Sequence, residues 1–267
     1  MIDLVYIVKE DERNEDLRYS LRSVAKFLPN NKIWIVGYKP FWIRNVNYIP
    51  VKQTEDKWKN SVKNILEACK CNEISEDFVL MNDDFFAIKP IKDLKKSINL
   101  CLGNLDLSIQ KYKNPKTDWE KAFLDVYELL ESLDIEKPYY DFESHTPLLL
   151  NRKKYLETMS LSKVVEFMNT NKVLHKRTLY KNVIKDSSKI SILSQDVKVL
   201  SKEDTTEIKS NLCDWLSVGD NLIGKPRFSK LTKFLSNLFP EPCIYETKIK
   251  HVIPVKKPVK KHNFIYY

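Results

Sequence analysis

The sequence predicts an α/β protein, a mixed sheet flanked by helices in a single large domain. Three observations carry this expectation. "IDLVYIV" (2–8) is a continuous apolar run, as a central strand buried on both faces requires. The first ninety residues alternate apolar runs and helical stripes in the order β-α-β-β-α-β, the pattern of a sheet with right-handed crossovers. The fourth strand segment runs out in "FVLMNDDFF" (78–86), where Asn82, Asp83 and Asp84 follow four apolar residues at the kind of strand end where open α/β sheets place their ligands.

After the first strand, "NEDLRYSLRSVAKFL" repeats Leu17, Leu21, Val24, Ala25 and Leu28 at helical spacing and is stopped by Pro29, Asn30 and Asn31. "KIWIVG" (32–37) and "NVNYIPV" (45–51) read as the second and third strands. In "KWKNSVKNILEACK", Trp58, Val62, Ile65, Leu66 and Cys69 form one stripe, with Lys57, Asn60 and Asn64 expected on the opposite, polar side. "LDLSIQKY" (105–112) reads as a strand. "TDWEKAFLDVYELLESL" is a strong helix opened by a capping box from Thr117 to Glu120. "YYDFESHTPLLLNR" is a polar-aromatic segment leading into a short apolar run, and "RFSKLTKFLSNLF" is a late helix halted by Pro240 and Pro242. With only four glycines, the chain has neither a G-x-G-x-x-G fingerprint nor a Walker A loop.

The composition narrows the class. With 267 residues, 43% of them hydrophobic, the chain is long enough to bury a substantial core. No run approaches the roughly 18 apolar residues that span a bilayer. The N-terminus lacks the basic and apolar regions of a secretory signal, and five scattered cysteines favour reduced thiols, so a soluble, cytoplasmic protein is expected. A formal charge of +9 favours anionic partners: nucleotide phosphates, nucleic acid or a membrane surface. The densest basic run, "KIKHVIPVKKPVKKHNFIYY", reads as a C-terminal tail (247–267), either a nucleic-acid arm or a segment docked by its aromatics.

Asp83 and Asp84 hold the sharpest chemistry. Inside a strand adjacent carboxylates point to opposite faces, but where the chain turns they converge on one ion. Hard oxygens suit Mn²⁺ or Mg²⁺, ions that keep positions open for substrate phosphate. A strand ending in such a pair after β-α-β-β-α resembles the GT-A nucleotide-sugar glycosyltransferases, whose Asp-x-Asp-type motif holds a divalent ion on the donor diphosphate; here Asn82 stands at the motif's first place. "FVLMNDDFFAIKPI" is also similar to the "NDD" segment of Stealth-type sugar-phosphate transferases. The resemblance implies a GT-A-like (Rossmann-like) fold with a nucleotide-sugar-binding half over 1–92 and an acceptor or catalytic half over 93–246. It also implies a UDP-sugar donor, set against Lys57, Asn60 and Asn64, with Asn82 a further donor-binding candidate.

Two further constellations stand out. His145, flanked by Glu143 and Asp141, puts an imidazole and carboxylates together; His145 is a candidate metal ligand, and Asp141, Glu143 and His145 are candidates for general-base work on an acceptor hydroxyl. Arg177, Lys181, Lys225 and Arg227 are candidates for neutralising a leaving diphosphate, while Asp220 and Asn221 read equally as an Asx turn. The leading expectation is a metal-dependent glycosyltransferase acting on a saccharide or on a modified DNA base, as phage DNA glucosyltransferases do in the host cytoplasm. Transfer of a sugar phosphate is the alternative enzyme chemistry, and a non-catalytic nucleic-acid-binding protein the alternative class.

Overall fold

Four parallel strands and one antiparallel strand build the central sheet, in the order β3-β2-β1-β4-β7. They are β1 (Asp3–Val8), β2 (Ile33–Gly37), β3 (Asn47–Pro50), β4 (Asp77–Asn82) and β7 (Leu148–Asn151), the last running against β4 with Leu80 opposite Leu148. The structure, a computed structural model, describes residues 2–28, 31–98, 100–185, 190–193, 196–200, 213–219 and 222–247, with the side chain of Arg227 outside that set. The basic run from residue 248 onward, Asp220 and Asn221 lie outside the described residues.

Side-chain alternation along the strands assigns the two faces. Val5, Ile7, Trp34, Val36, Phe78 and Leu80 face one core, against α2 (Lys57–Lys70), α5 (Asp118–Ser132), α6 (Arg152–Met159), α7 (Ser162–Met168) and α8 (Lys176–Ile184). Leu4, Tyr6, Val8, Val79 and Met81 face the other, against α1 (Glu15–Phe27) and a second sheet. Each fully buried Leu, Val or Phe contributes about 1.5–3 kcal/mol, so the two faces supply most of the driving force for this arrangement. The second sheet runs β5-β10-β9, from β5 (Phe85–Ala87), β9 (Lys198–Val199) and β10 (Trp215–Val218). Its outer side carries Phe86, Leu216 and Val218 under α9 (Ser229–Leu238), the late helix expected from its apolar stripe.

Residues 3–82 follow the expected order, β5 being an additional strand just beyond them, and the Thr117–Glu120 capping box is formed. One reading is corrected: residues 105–111 are not a strand but the helix α4 (Leu105–Lys111), capped by Asn104. The alternation of Leu105, Leu107 and Ile109 suggested a strand, yet Leu107 is 61% exposed. Leu105, Ile109 and Tyr112 form the stripe that packs, at helical spacing. The remaining short elements are α3 (Leu94–Ile98) and the pair β6 (Leu100–Cys101) with β8 (Ser191–Ile192). No helix among the described residues is long and apolar enough to cross a membrane.

Gly37, at the carboxyl end of β2, has φ +109°, and a Cβ there would run into the Val8 carbonyl and the side chains of Asn64 and Gln53. Gly37→Ala is therefore expected to cost at least about 2 kcal/mol. Thermal unfolding should show a midpoint lower by roughly 4–8 °C.

Candidate active site

The two acids occupy a two-residue turn between β4 and β5, where the chain leaves the central sheet for the second one. Asn82, the last residue of β4, still pairs with Ile7. Beyond it the strand alternation ends, and the neighbouring carboxylates find separate partners. Asp83 Oδ2 accepts from Asn14 Nδ2 at 2.9 Å. Asn14 is buried, in the left-handed region at φ 34°, and its Oδ1 caps α1 by accepting from Leu17 N. One side chain thus closes a helix and orients an acid, and Asn tolerates that backbone region better than most residues.

Asp84 is buried. Its Oδ2 accepts from Ser217 Oγ on β10 at 2.9 Å and lies 3.3 Å from Lys198 Nζ on β9. The Arg177 guanidinium belongs to the same surroundings. Burial lowers its pKa, opposed by Glu143, Asp84, Asp196 and Asp141. It remains a cation at neutral pH, since arginine starts so far above 7. Arg177 also donates to the Thr146 carbonyl and stands 5.5 Å over the Phe85 ring, which holds it in place.

His145 sits just before β7 with φ 53°, a left-handed conformation uncommon outside glycine. Its Nδ1 is 2.6 Å from Asp196 Oδ2. Burial works against the Asp196 charge, but the bond from His145 holds that carboxyl below its usual range. An ionised Asp196 places the imidazole proton on Nδ1 and leaves Nε2 as a proton acceptor. Asp196 Oδ1 also accepts from Lys198 N at 3.0 Å, so the segment leading into β9 presents the partner of the histidine and, two residues on, the strand itself presents the partner of Asp84.

Asp141 and Glu143 complete the segment. Burial pushes Asp141 up to about 6 although Ser108 Oγ and Glu143 N both donate to it, at 2.6 and 2.8 Å. Burial would also raise Glu143, but His175, Arg177, Lys176 and His145 hold it below the usual range. Burial pushes Lys176 down to about 8 and His175 down to about 4.

The structure thus brings together Asp84, Arg177, Glu143, Asp141 and the His145–Asp196 pair, with Asp83 joined through its turn. It does not gather Asp83, Asp84 and His145 into one ligand set: among the described residues no three His, Cys, Asp or Glu side chains are grouped to hold an ion. The Nδ1 of His145 is instead committed to Asp196. Asp83 and Asp84 still suit a hard divalent ion of the sparsely held kind, which takes one or two carboxylates from the protein and its other oxygens from phosphate and water.

The expected donor residues scatter. On α2, Asn60 and Asn64 are buried rather than on an open polar face, and Asn60 uses both ends of its amide on the Glu55 backbone. Lys57 lies over the Trp58 ring at 4.7 Å. Lys181, one helical turn beyond Arg177, lines a separate cavity with Tyr140, Phe142 and Lys185. Lys225 is exposed. Sequence reasoning missed Asn14, Asp196, Lys198 and Ser217. Asn14 carried a signal, being an N-cap residue type placed just before the first helical stripe; Lys198 and Ser217 lie on strands too short to read, and Asp196 just before one of them.

In fold the chain is similar to the galactosyltransferase LgtC in complex with donor and acceptor sugar analogues, with a TM-score of 0.55 and 10% identity over 90% of this chain and 96% of that one. An active-site variant of LgtC gives a TM-score of 0.51 at 10% identity, covering 88% and 96%. The bifunctional glycosyltransferase WbbM in its apo form gives 0.51 at 11%, covering 88% of this chain and 50% of that one. No protein-family model matches the sequence, and neither does any curated protein. The chain therefore has the GT-A type of glycosyltransferase fold.

Proposed function

We propose that this chain is a glycosyltransferase that moves a sugar from a nucleotide-sugar donor, a UDP-sugar foremost, to an acceptor hydroxyl. One observation carries the reading: on a GT-A-type fold, the carboxylates at the end of β4 share their surroundings with a buried arginine and with a histidine oriented by a carboxylate. Asp83 and Asp84 would hold Mn²⁺ or Mg²⁺, an ion that supplies charge stabilisation to a departing diphosphate. Arg177 adds a fixed cation beside that charge. His145 takes the acceptor's proton at Nε2, and Asp196 keeps the ring in the tautomer that allows it. Thr146, Phe85 and Asn14 act one step back, holding Arg177 and Asp83 in position.

A thermal-shift series with nucleotide sugars tests the reading, because a ligand of the native state raises apparent stability by mass action. A UDP-sugar is expected to raise the midpoint with Mn²⁺ present and to lose that effect in Asp84→Asn. No shift with any nucleotide sugar, with or without Mn²⁺, would count against it.

Arg177 and Lys198 beside Asp84 equally favour a phosphoryl centre, so sugar-phosphate transfer is the second reading. The two separate by product, a nucleoside diphosphate for glycosyl transfer and a monophosphate for the other.

For the acceptor we propose a saccharide or a hydroxylated DNA base. If it is DNA, removing residues 255–267 is expected to weaken DNA binding and to flatten its log–log salt dependence by about 0.9 per lost phosphate contact, with donor binding unchanged. Absence of DNA binding by the intact protein at low salt leaves the saccharide. Salt-sensitive DNA binding that ignores Mn²⁺ and Asp84→Asn, with no donor bound, would instead mark a non-catalytic binding protein.

A further inference from the structure

Asp84 is paired with Lys198 and feels the charge of Arg177, and the two cations are held differently. Arg177 is buried, donates to the Thr146 carbonyl and packs on Phe85, so its position is set by the fold. Lys198 is anchored to the fold at its base. Its backbone N–H donates to Asp196, and its Cα lies opposite Ser217, the residue whose hydroxyl also binds Asp84. From there a four-carbon stem carries the ammonium to Asp84 Oδ2 at 3.3 Å, with 17% of the side chain exposed. That stem is the adjustable part.

A divalent ion sits about 2.1 Å from a carboxylate oxygen. An ammonium at 3.3 Å from the same oxygen would then meet a double positive charge at close range, in a site with little water to screen it. Ion and ammonium compete for Asp84. A diphosphate arriving with the ion brings the negative charge that the displaced ammonium needs. We propose that Lys198 is a phosphate-binding residue held in reserve by Asp84: it neutralises the acid in the free protein and passes to the donor's diphosphate when the ion takes the carboxylate. This rests on the donor-site reading above and adds to it a residue and an order of events, in which the ion binds well only together with the nucleotide.

Direct binding tests it, with Mn²⁺ followed by electron paramagnetic resonance and uridine diphosphate by calorimetry. The unaltered protein is expected to bind Mn²⁺ weakly alone and more tightly once uridine diphosphate is added. Lys198→Met should bind Mn²⁺ alone roughly tenfold more tightly, because the competing charge is gone. The same variant should bind uridine diphosphate with Mn²⁺ roughly tenfold or more weakly, having lost a charged hydrogen-bond donor. Lys198→Arg keeps the charge and should stay nearer the unaltered protein in both, and Lys198→Gln replaces Met if circular dichroism shows that Met disturbs the fold. Unchanged affinities for both ligands in the neutral variants, with Asp84→Asn still abolishing Mn²⁺ binding, would overturn the Lys198 proposal and leave the donor site standing. Failure of the unaltered protein to bind either ligand, alone or together, would overturn both.

Discussion

Asp84→Asn is expected to abolish Mn²⁺-dependent binding of the nucleotide sugar and to lower turnover by roughly a thousandfold, the upper range for losing a group that stabilises developing charge. The substitution removes one negative charge with almost no change in shape. Ser217 Oγ and Lys198 Nζ would then face a neutral amide in place of Oδ2. The loss in stability should stay within about 1–3 kcal/mol, the cost of a weakened buried polar contact, so the protein remains folded when binding is measured. Circular dichroism and a denaturation midpoint separate the two effects. A variant that binds donor and Mn²⁺ as the unaltered protein does removes Asp84 from the site, whereas outright unfolding makes the acid a structural part of the turn between β4 and β5.

With His145 as the proposed general base, His145→Asn is expected to lower turnover by about 10²–10⁴-fold while leaving donor binding nearly unchanged, because such a base acts on the acceptor's proton and not on the nucleotide. Asn is the informative replacement. At φ 53° an alanine would add left-handed backbone strain to the loss of the ring, whereas Asn accepts that conformation more readily. Asp196→Asn should reproduce part of the defect: the ring keeps a partner 51 residues along the chain but loses the charge that fixes its tautomer. Calorimetry of donor binding gives the independent readout, since His145→Asn should retain the donor affinity that Asp84→Asn loses. Full turnover in that variant would return His145 to a structural role.

Much of the fold was legible because it rests on periodicity. The runs 3–8 and 78–81 are buried on both faces, and the helices at 15–27, 57–70 and 118–132 carry stripes that match the faces they cover. Leu107 shows where pattern fails: in seven residues, alternation and a helical stripe share most of their apolar positions, and the Asn104 cap decides between them. The acid turn was legible for the same reason as the strand before it, since two carboxylates stand where an apolar run stops. Asp196, Lys198 and Ser217 were not. They meet His145 and Asp84 across 51 to 133 positions, on or just before strands of two to four residues whose pairing depends on the second sheet closing. Asn60 and Asn64 failed in the opposite way: a polar side of α2 was visible, but its amides turn inward, one of them onto the helix's own leading loop.

The most direct test of the account is the nucleotide released when the protein is incubated with a UDP-sugar, Mn²⁺ and an acceptor panel of saccharides and hydroxymethylated DNA, with Asp84→Asn as control. Uridine diphosphate is expected in step with a glycosylated acceptor, and neither product from Asp84→Asn. Uridine monophosphate in place of the diphosphate, or diphosphate formed equally well by Asp84→Asn, would contradict it.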